Sequence, residues 1–321
     1  MKVVRLLTLV AVAALAVGAY VLGAASGGPA GTAQAAKQRP ASLWSTYDQT
    51  FKRARFIDLS HELYPQGPVW KGFGPAKFAP TTNPETGQPY TYEKDGFEAT
   101  QYELSTDQFG TQLDPPAHWA PEYPGIDEVP SSYALRKLVV IDMTAKTKKD
   151  PKAFAHVADV KAWEKQHGRI PAGSVVMFRT DWGKQWTSDP EKAKALAASP
   201  DFPSVGLDAL KFLQLQRKIL FHGHEPLDTD STPTLEGEDW LMHHGFTQAE
   251  GVANLDRVPA TGCLITTGVP KFKGGLGGYA RYTAVCPQGT KAGVGNSARD
   301  APLPKSGSPL HYDANKGYRV R

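Results

Sequence analysis

This chain of 321 residues has few cysteines and only a small excess of positive charge. The only cysteines are Cys263 and Cys286, and nothing around them indicates a catalytic thiol. Lysine and arginine number 36 against 32 acidic residues, and removal of residues 1–35 would take away two basic residues and no acidic one. The balance is then close to neutral, so charge does not support nucleic acid as a partner.

Several catalytic motifs are missing as well. The sequence contains no Gly-x-Ser-x-Gly elbow, no Gly-x-x-x-x-Gly-Lys-Ser/Thr loop and no His-Glu-x-x-His pair. The glycine-rich run 274–278 has no helix signal after it, so it indicates a turn and not a phosphate-binding loop. These absences leave little support for the serine hydrolase, nucleotide-binding and zincin classes.

The long hydrophobic run of the chain lies at its N-terminus. Lys2 and Arg5 precede an apolar run from Leu6 to about Ala25, and small residues follow as far as Ala35. This order is typical of an export signal over 1–35, with a periplasmic or extracellular location. The run is longer than the ~7–15 residues of an ordinary signal, so an uncleaved membrane anchor is the alternative.

Export bears on the two cysteines. Each lies in an apolar run near the outer end of a predicted hairpin, and an antiparallel pairing would bring them opposite one another. An oxidising compartment permits a disulfide. A disulfide and two free buried cysteines remain equal alternatives at this stage.

The rest of the chain divides by composition and periodicity. Residues 36–54 read as a linker followed by a short amphipathic helix, and 288–321 as a polar tail that is extended or loosely docked. Strand-like and helical patterns are interspersed between these segments, which favours an α/β fold with a mixed sheet. The predicted strands are 56–60, 98–104, 138–143, 174–179 and 218–224, and the predicted helices are 154–168, 187–198, 206–216 and 237–246.

One eleven-residue stretch carries most of the candidate chemistry: Gln-Phe-Gly-Thr-Gln-Leu-Asp-Pro-Pro-Ala-His at 108–118. Gln108, Gln112, Asp114 and His118 are separated by even numbers of residues, so in an extended chain they would point to one face. A glycine and two prolines would hold the stretch in one irregular shape, as a preformed site requires. An ordinary polar loop explains the spacing equally well.

The stretch resembles the signature His-x-Gly-Thr-His-x-Asp-x-Pro-x-His of the metal-dependent cyclase and kynurenine formamidase-like hydrolase family. Gly110, Thr111, Asp114, Pro116 and His118 match it. Gln108 and Gln112 stand where that family has two histidine ligands. Four further blocks resemble the family in the same order, so the resemblance covers a catalytic domain over 55–287: 56–63, 175–182, 249–256 and 274–281.

The resemblance implies a swivelling β/β/α domain with a barrel-like mixed sheet and flanking helices. It also implies one or two divalent metals, held by the motif and by a later histidine and glutamate. By position, Asp114 and Glu250 are the shared acidic ligands, and Glu238 replaces the later histidine. The nearest alternatives to Glu238 are His243 and His244.

The predicted ligand set of Gln108, Gln112, Asp114, Glu238 and Glu250 therefore replaces three imidazoles with oxygen donors. Imidazole suits zinc, whereas carboxylate and amide oxygens suit manganese, magnesium or calcium. We expect a divalent metal harder than zinc, manganese for example, or weak binding; absence of metal is the alternative.

Further ligands are available beside the motif. His222 and His224 end a predicted strand and alternate onto one face, and Glu225 follows them. These three residues are additional candidates, although a satisfied core histidine pair is the commoner reason for such a pattern. His61, in the opening loop, reads as structural or substrate-contacting.

The reaction that the resemblance implies is attack of a metal-activated water on an amide, formamide, lactam or ester carbonyl of a small molecule, with aromatic molecules among the candidates. His118 would carry a proton to the leaving group. Trp70, Phe109 and Trp119 are candidates for the wall of an aromatic pocket, although aromatic residues are more often part of the core. The expected protein is an exported, arylformamidase-like hydrolase that forms a homodimer or homotetramer.

Two other functions remain open. A small-molecule-binding pseudoenzyme on the same fold would use Gln108 and Gln112 as hydrogen-bonding groups without metal. A metal-independent lyase or isomerase would rely on His118.

Overall fold

A ten-stranded mixed sheet, strongly curled into a half-barrel, organises the fold. The computed structural model describes residues 42–296, 302–303 and 305–321. In chain order the strands are β1 Arg55–Asp58, β2 Lys77–Pro80, β3 Thr100–Glu103, β4 Gln112–Asp114, β5 Leu135–Asp142, β6 Phe154–Ala155, β7 Val175–Arg179, β8 Ser204–Val205, β9 Phe221–His224, β10 Thr247–Glu250, β11 Cys263–Gly268, β12 Gly278–Tyr279, β13 Arg281–Cys286, β14 Val294–Gly295, β15 His311–Asp313 and β16 Tyr318–Val320.

Helices flank this sheet. They are α1 Leu43–Gln49, α2 Tyr92–Asp95, α3 Thr144–Thr147, α4 Val157–His167, α5 Pro190–Ala198, α6 Leu207–Lys211 and α7 Glu236–Met242. A π-helical segment, Phe212–Arg217, continues α6 as far as Lys218, which has a left-handed backbone. Within the described residues no helix combines the length and the apolar character needed to cross a bilayer.

The strand order of the main sheet is β12-β4-β10-β9-β7-β5-β11-β13-β1-β14. The central pairs β10/β9, β9/β7 and β7/β5 are parallel, and the pairs on either side are antiparallel. A parallel centre is usually covered on both faces, and its strands then read as continuous apolar runs. This explains why β5 and β7 were recognisable in the sequence.

Two cores lie on opposite faces of the sheet, and alternation along β5 shows how they form. Leu138 and Val140 point into the concave core, which also contains Phe221 and Tyr282. Val139 and Ile141 point to the other face, where helix residues such as Trp163 cover them. Because successive side chains of a strand point to opposite faces, one short apolar run contributes to both cores.

The mixed α/β architecture predicted from the sequence is confirmed. All five predicted strands and all four predicted helices have counterparts, with boundaries shifted by a few residues. The C-terminal tail, predicted to be extended or loosely docked, contains β15 and β16, which form an antiparallel hairpin. Arg319 anchors this hairpin through an ion pair with Glu98 at 3.0 Å. The predicted export signal lies outside the described residues.

The two cysteines form a disulfide between the ends of β11 and β13. These strands pair antiparallel with Leu264 opposite Val285, so Cys263 and Cys286 are the next opposed pair. Of the two alternatives, the disulfide is therefore the one found, and no free cysteine remains.

Replacing both Cys263 and Cys286 with serine is expected to lower the free energy of unfolding by about 3 kcal/mol. The disulfide closes a chain segment with a sequence separation of 23, and its loss frees that loop in the unfolded state. Urea unfolding of the oxidised protein and of the double variant measures the difference. Reduced wild-type protein should unfold at the variant's midpoint; equal midpoints for the oxidised protein and the variant would contradict the prediction.

Candidate active site

The polar face of three neighbouring strands forms the floor of the site. In the register of β4 against β10, Asp114 lies opposite Gln248 and Gln112 opposite Glu250. In the register of β10 against β9, Gln248 lies opposite His222. Opposed residues of paired strands project to the same face. The intervening residues Leu113 and Ala249 belong to the concave core. The even spacing seen in the motif is therefore repeated on two further strands.

Three carboxylates meet on this face. Oxygens of Asp114, Glu238 and Glu250 lie within 4.8 Å of one another. Asp114 and Glu250 come from the floor, whereas Glu238 comes from α7. Their exposed fractions are 1%, 4% and 3% respectively. So close a group of buried acids is unfavourable unless protons or a cation neutralise it.

The unfavourable burial of these three acids raises their pKa values. Burial raises the pKa of Asp114 to about 7, and hydrogen bonds from Gln248 and Gln112 partly oppose the shift. Burial, followed by the charge of Asp114, raises the pKa of both Glu238 and Glu250 well above the usual range. The cluster therefore favours a bound positive charge at neutral pH.

Two glutamine amides bracket the cluster. Gln112 Nε2 donates to Glu250 Oε2 at 2.8 Å and to Asp114 Oδ2 at 3.4 Å. Gln248 Nε2 donates to Glu250 Oε1 at 3.0 Å and to Asp114 Oδ2 at 3.3 Å. These bonds hold the carboxylates in fixed orientations, as a preformed ligand set requires.

Two oxygen atoms of this network lack a hydrogen-bond partner. Asp114 Oδ1 and Gln112 Oε1 are buried and unpaired. Buried polar atoms are nearly always satisfied, so each exception requires an explanation. Both atoms are oxygen acceptors next to a triad of acids, which fits coordination of a divalent cation. The residues present thus fit a metal site made of Asp114, Glu238 and Glu250, with Gln112 as a further oxygen donor.

The histidines of β9 lie behind the cluster, where Thr229 links them to it. Thr229 donates its hydroxyl proton to Gln248 Oε1 and lies 3.0 Å from His224 Nε2. His224 Nδ1 lies 3.2 Å from the Pro226 carbonyl oxygen, so both ring nitrogens of His224 have a polar neighbour. Burial lowers the pKa of His224 to about 4, so the ring is neutral. His222 and His224 are both buried, and neither lines the cavity in front of the carboxylates.

His118 and Trp119 reach the cluster from the turn that follows β4. Pro116 begins a 3-10 turn that ends at His118. Trp119 Nε1 donates to Glu238 Oε1 at 3.1 Å, and His118 Nε2 lies 3.8 Å from the same oxygen. Burial lowers the pKa of His118, although the charge of Asp107 opposes the shift. A neutral imidazole beside the cluster can accept a proton at physiological pH.

A cavity of about 310 Å³ opens in front of the carboxylates. Its wall is largely aromatic and its floor is acidic and amide-bearing. The lining residues are Trp70, Phe73, Gln108, Gln112, His118, Trp119, Leu227, Asp228, Leu235, Glu238 and Glu250. A concave, mostly apolar wall with a few convergent polar groups is the usual form of a small-molecule site.

The glycines of the motif region allow the close packing around this cavity. Gly110 has φ of +80°, and a Cβ there would collide with Leu63 Cδ2. Only glycine adopts this backbone conformation at no steric cost. Gln108, two residues before Gly110, lines the cavity. Its Nε2 donates to the Leu276 carbonyl at 3.3 Å, so the glycine loop 274–278 holds the Gln108 side chain in place.

Not every predicted residue lies at the cavity. Phe109 is fully buried in the protein interior. The phenylalanine that lines the cavity is Phe73. Glu225 accepts hydrogen bonds from Thr180 and Gly183 and does not line the cavity. Neither residue lies in a strand of the sheet: Phe109 precedes β4 and Glu225 follows β9.

The two histidines at the end of α7 are also away from the cavity. His243 Nδ1 lies 2.9 Å from the Asp239 carbonyl, and His244 Nδ1 lies 2.6 Å from the Trp240 carbonyl, so each contacts its own helix. Both residues are exposed. Glu238 lies on the opposite, buried side of that helix. His61 stacks on Trp186 with ring centroids 4.1 Å apart, also outside this cavity.

Besides Phe73, the sequence did not identify Gln248, Thr229 and Asp228 as residues of the site. Gln248 alternates with Glu250, a period-two signal that could have placed both on one face. Thr229 and Asp228 lie in the loop after β9, where no periodicity marks them. Trp70 Nε1 donates to Asp228 Oδ2 at 3.0 Å, so this aspartate belongs to the cavity wall.

Known proteins share this fold. The Cyclase family model matches residues 57–231, which include the eleven-residue stretch and end before Glu238. An isatin hydrolase from Roseibium aggregatum is 28% identical over 244 residues, or 72% of this chain and 92% of that protein.

Solved structures agree with the sequence comparison. Isatin hydrolase A from Labrenzia aggregata, bound to benzyl benzoate, has a TM-score of 0.66 and 26% identity, covering 76% of this chain and 98% of its own. Isatin hydrolase A from Ralstonia solanacearum has a TM-score of 0.66 and 26% identity, covering 78% of this chain and 100% of its own.

Proposed function

Because this chain belongs to the Cyclase family and is a hydrolase related to the isatin hydrolases, we propose that it cleaves the C–N bond of a small cyclic amide with the help of a divalent metal. Isatin, an aromatic ring fused to a lactam, is the first candidate substrate. The observation that carries the proposal is the buried carboxylate triad, with its unpaired Asp114 and Gln112 oxygens, at the floor of an aromatic cavity.

The donor set supports a hard metal ion. Asp114, Glu238 and Glu250 offer only oxygen, and so does Gln112 as a further donor. Oxygen sets of this kind favour manganese or magnesium over zinc. We propose manganese as the first ion to test. When bound, such an ion would lower the pKa of a coordinated water and polarise the substrate carbonyl.

The chain's own residues supply binding and proton transfer. Trp70, Phe73 and Trp119 would enclose the aromatic part of the substrate and exclude water from the reacting bond. His118 would take the proton of the attacking water and return it to the nitrogen as the C–N bond breaks, which leaves a carboxylate and an amine. Trp119 holds Glu238 beside His118 through its 3.1 Å hydrogen bond.

Bound metal and isatin turnover test the proposal directly. The purified protein is treated with chelator, reloaded separately with manganese, magnesium and zinc, and analysed for metal content and isatin ring opening. Stoichiometric manganese with chelator-sensitive turnover is the expected result. Turnover that survives complete metal removal would overturn the metal-dependent mechanism. Ligand binding without metal or turnover would favour the pseudoenzyme.

His118→Ala is expected to lower kcat about 10²-fold, at the lower end of the range for a lost general acid–base group. Bound metal and KM should change little, because the carboxylate triad and the aromatic wall remain. Steady-state kinetics with metal analysis measures both effects. His243→Ala is the matched control, since His243 is exposed and contacts its own helix. A kcat within twofold of the wild type would remove His118 from the mechanism.

Export and assembly complete the proposal. The N-terminal pattern of 1–35 and the disulfide both support an exported protein, in the periplasm or outside the cell. The resemblance to the cyclase family supports a homodimer or homotetramer. Fractionation of cells and light scattering of the purified protein measure the two properties.

A further inference from the structure

The cavity wall contains a carboxylate that the proposed hydrolysis does not use. We propose, resting on the function proposed above, that the natural substrate carries a protonated amine, and that Asp228 binds it beside Trp70 and Phe73. This would make Asp228 a specificity-determining residue, separate from the carboxylate triad.

The charge of the cavity is the first argument. Asp228, Glu238 and Glu250 line it, and the lining includes no lysine or arginine. A divalent ion would offset two of the three negative charges of the triad. Asp228 would then add a further carboxylate that no cationic side chain of the cavity lining faces, and a cationic ligand group is the simplest complement to it.

The contacts of Asp228 are the second argument. Within the described residues Asp228 forms no ion pair, and its hydrogen bond comes from the neutral Trp70 indole. Lys71 acts on Asp228 electrostatically without forming an ion pair. It is exposed, and it lines a neighbouring cavity together with Asp228, not the cavity in front of the triad. A partly buried carboxylate usually has a charged partner, and here the open cavity is the place from which one can come.

The aromatic wall is the third argument. Trp70 and Phe73 lie with ring centroids 5.4 Å apart at the same cavity. Gly72 between them leaves room for the indole, because a Cβ there would collide with the Trp70 ring. Aromatic faces next to a carboxylate are a typical arrangement for ammonium recognition. The indole hydrogen bond fixes the ring and the carboxylate relative to one another.

Two small probes of similar shape test the inference. Benzylammonium and benzyl alcohol are titrated into the manganese-loaded protein by calorimetry, at pH 7, where the amine is protonated. We expect benzylammonium to bind about 10-fold more tightly, a difference of about 1.4 kcal/mol. In Asp228→Asn this preference should fall to within twofold. Asp201→Asn, a surface carboxylate paired with Lys152, is the matched control and should keep it.

The outcomes separate this inference from the proposed function. Equal binding of the two probes by the wild type, or an undiminished preference in Asp228→Asn, would overturn the role of Asp228 even if isatin is hydrolysed. Missing turnover and missing metal would overturn the proposed function, and the titration would then be repeated on the metal-free protein. Circular dichroism and the urea unfolding midpoint of Asp228→Asn show whether the variant is folded.

Discussion

Asp114→Asn is expected to abolish stoichiometric manganese binding and to lower kcat/KM by at least about 10³-fold, or about 4 kcal/mol of activation free energy. Asparagine keeps the shape of the side chain but removes its charge. Asp114 is the member of the triad that contributes the unpaired Oδ1 atom. The substitution therefore replaces a charged ligand with a weaker neutral amide and removes a third of the negative charge that holds the ion.

The measurement is metal content per chain together with isatin kinetics for the same preparations. Asp201→Asn again serves as the charge-matched control, because Asp201 is exposed and remote from the cavity lining. Unchanged metal content and unchanged turnover in Asp114→Asn would show that the ion is held elsewhere. Unchanged metal content with lost turnover would assign Asp114 a role in the reaction and not in binding.

The metal-free protein is expected to lose stability as the pH rises from about 4 to about 7, by about 4 kcal/mol for a single retained proton. The pKa of Asp114 is raised by burial from 3.8 to about 7, so the folded state holds a proton that the unfolded state releases in this window. The stabilisation from that proton is complete below the unfolded-state pKa of 3.8. It is lost as the pH rises through the folded-state pKa of about 7. The raised pKa values of Glu238 and Glu250 act in the same direction.

Buried histidines act in the opposite direction. The pKa values of His61 and His224 are lowered to about 4 by burial, so their contribution is lost as the pH falls below about 6.5. The informative quantity is therefore the difference between wild type and Asp114→Asn, in which the histidine contributions cancel. Urea unfolding at pH 5, 6, 7 and 8 in the presence of chelator measures it.

Manganese supplies the control for this second prediction. A bound cation replaces the retained protons, so metal-loaded protein should show a smaller loss of stability between pH 5 and 8. The prediction fails if chelator-treated wild type and Asp114→Asn have parallel pH profiles. In that case the triad would be neutralised by some group other than its own protons.

The sequence was informative wherever the signal is local. The strands β5 and β7 and the helix α4 follow from apolar periodicity within a single segment. The same holds for Gln112 and Asp114, whose separation of two residues puts them on one face of an extended chain. The motif resemblance then pointed to Glu238 and Glu250, and the structure brings both to Asp114.

Sequence patterns were less informative about candidate site residues whose orientation depends on which other segments pack against them. Phe109 lies within the motif but points into the interior, whereas Phe73 lies far from the motif and lines the cavity. His243 and Glu238 share a helix, yet only the buried side of that helix meets the cluster. Local patterns do not say which side of an element the rest of the chain covers.

The sequence by itself determined the fold class and the eleven-residue motif, and it predicted oxygen donors at Gln108, Gln112 and Glu238. Only the tertiary structure decided which groups surround those oxygens. Asp114 and Gln248 are 134 residues apart in the chain, and the register of β4 on β10 brings them within 3.3 Å. That register follows from packing on both faces of the sheet, a long-range property that no window of sequence contains. The same packing excludes water from the triad, which raises its pKa values and creates the demand for a cation.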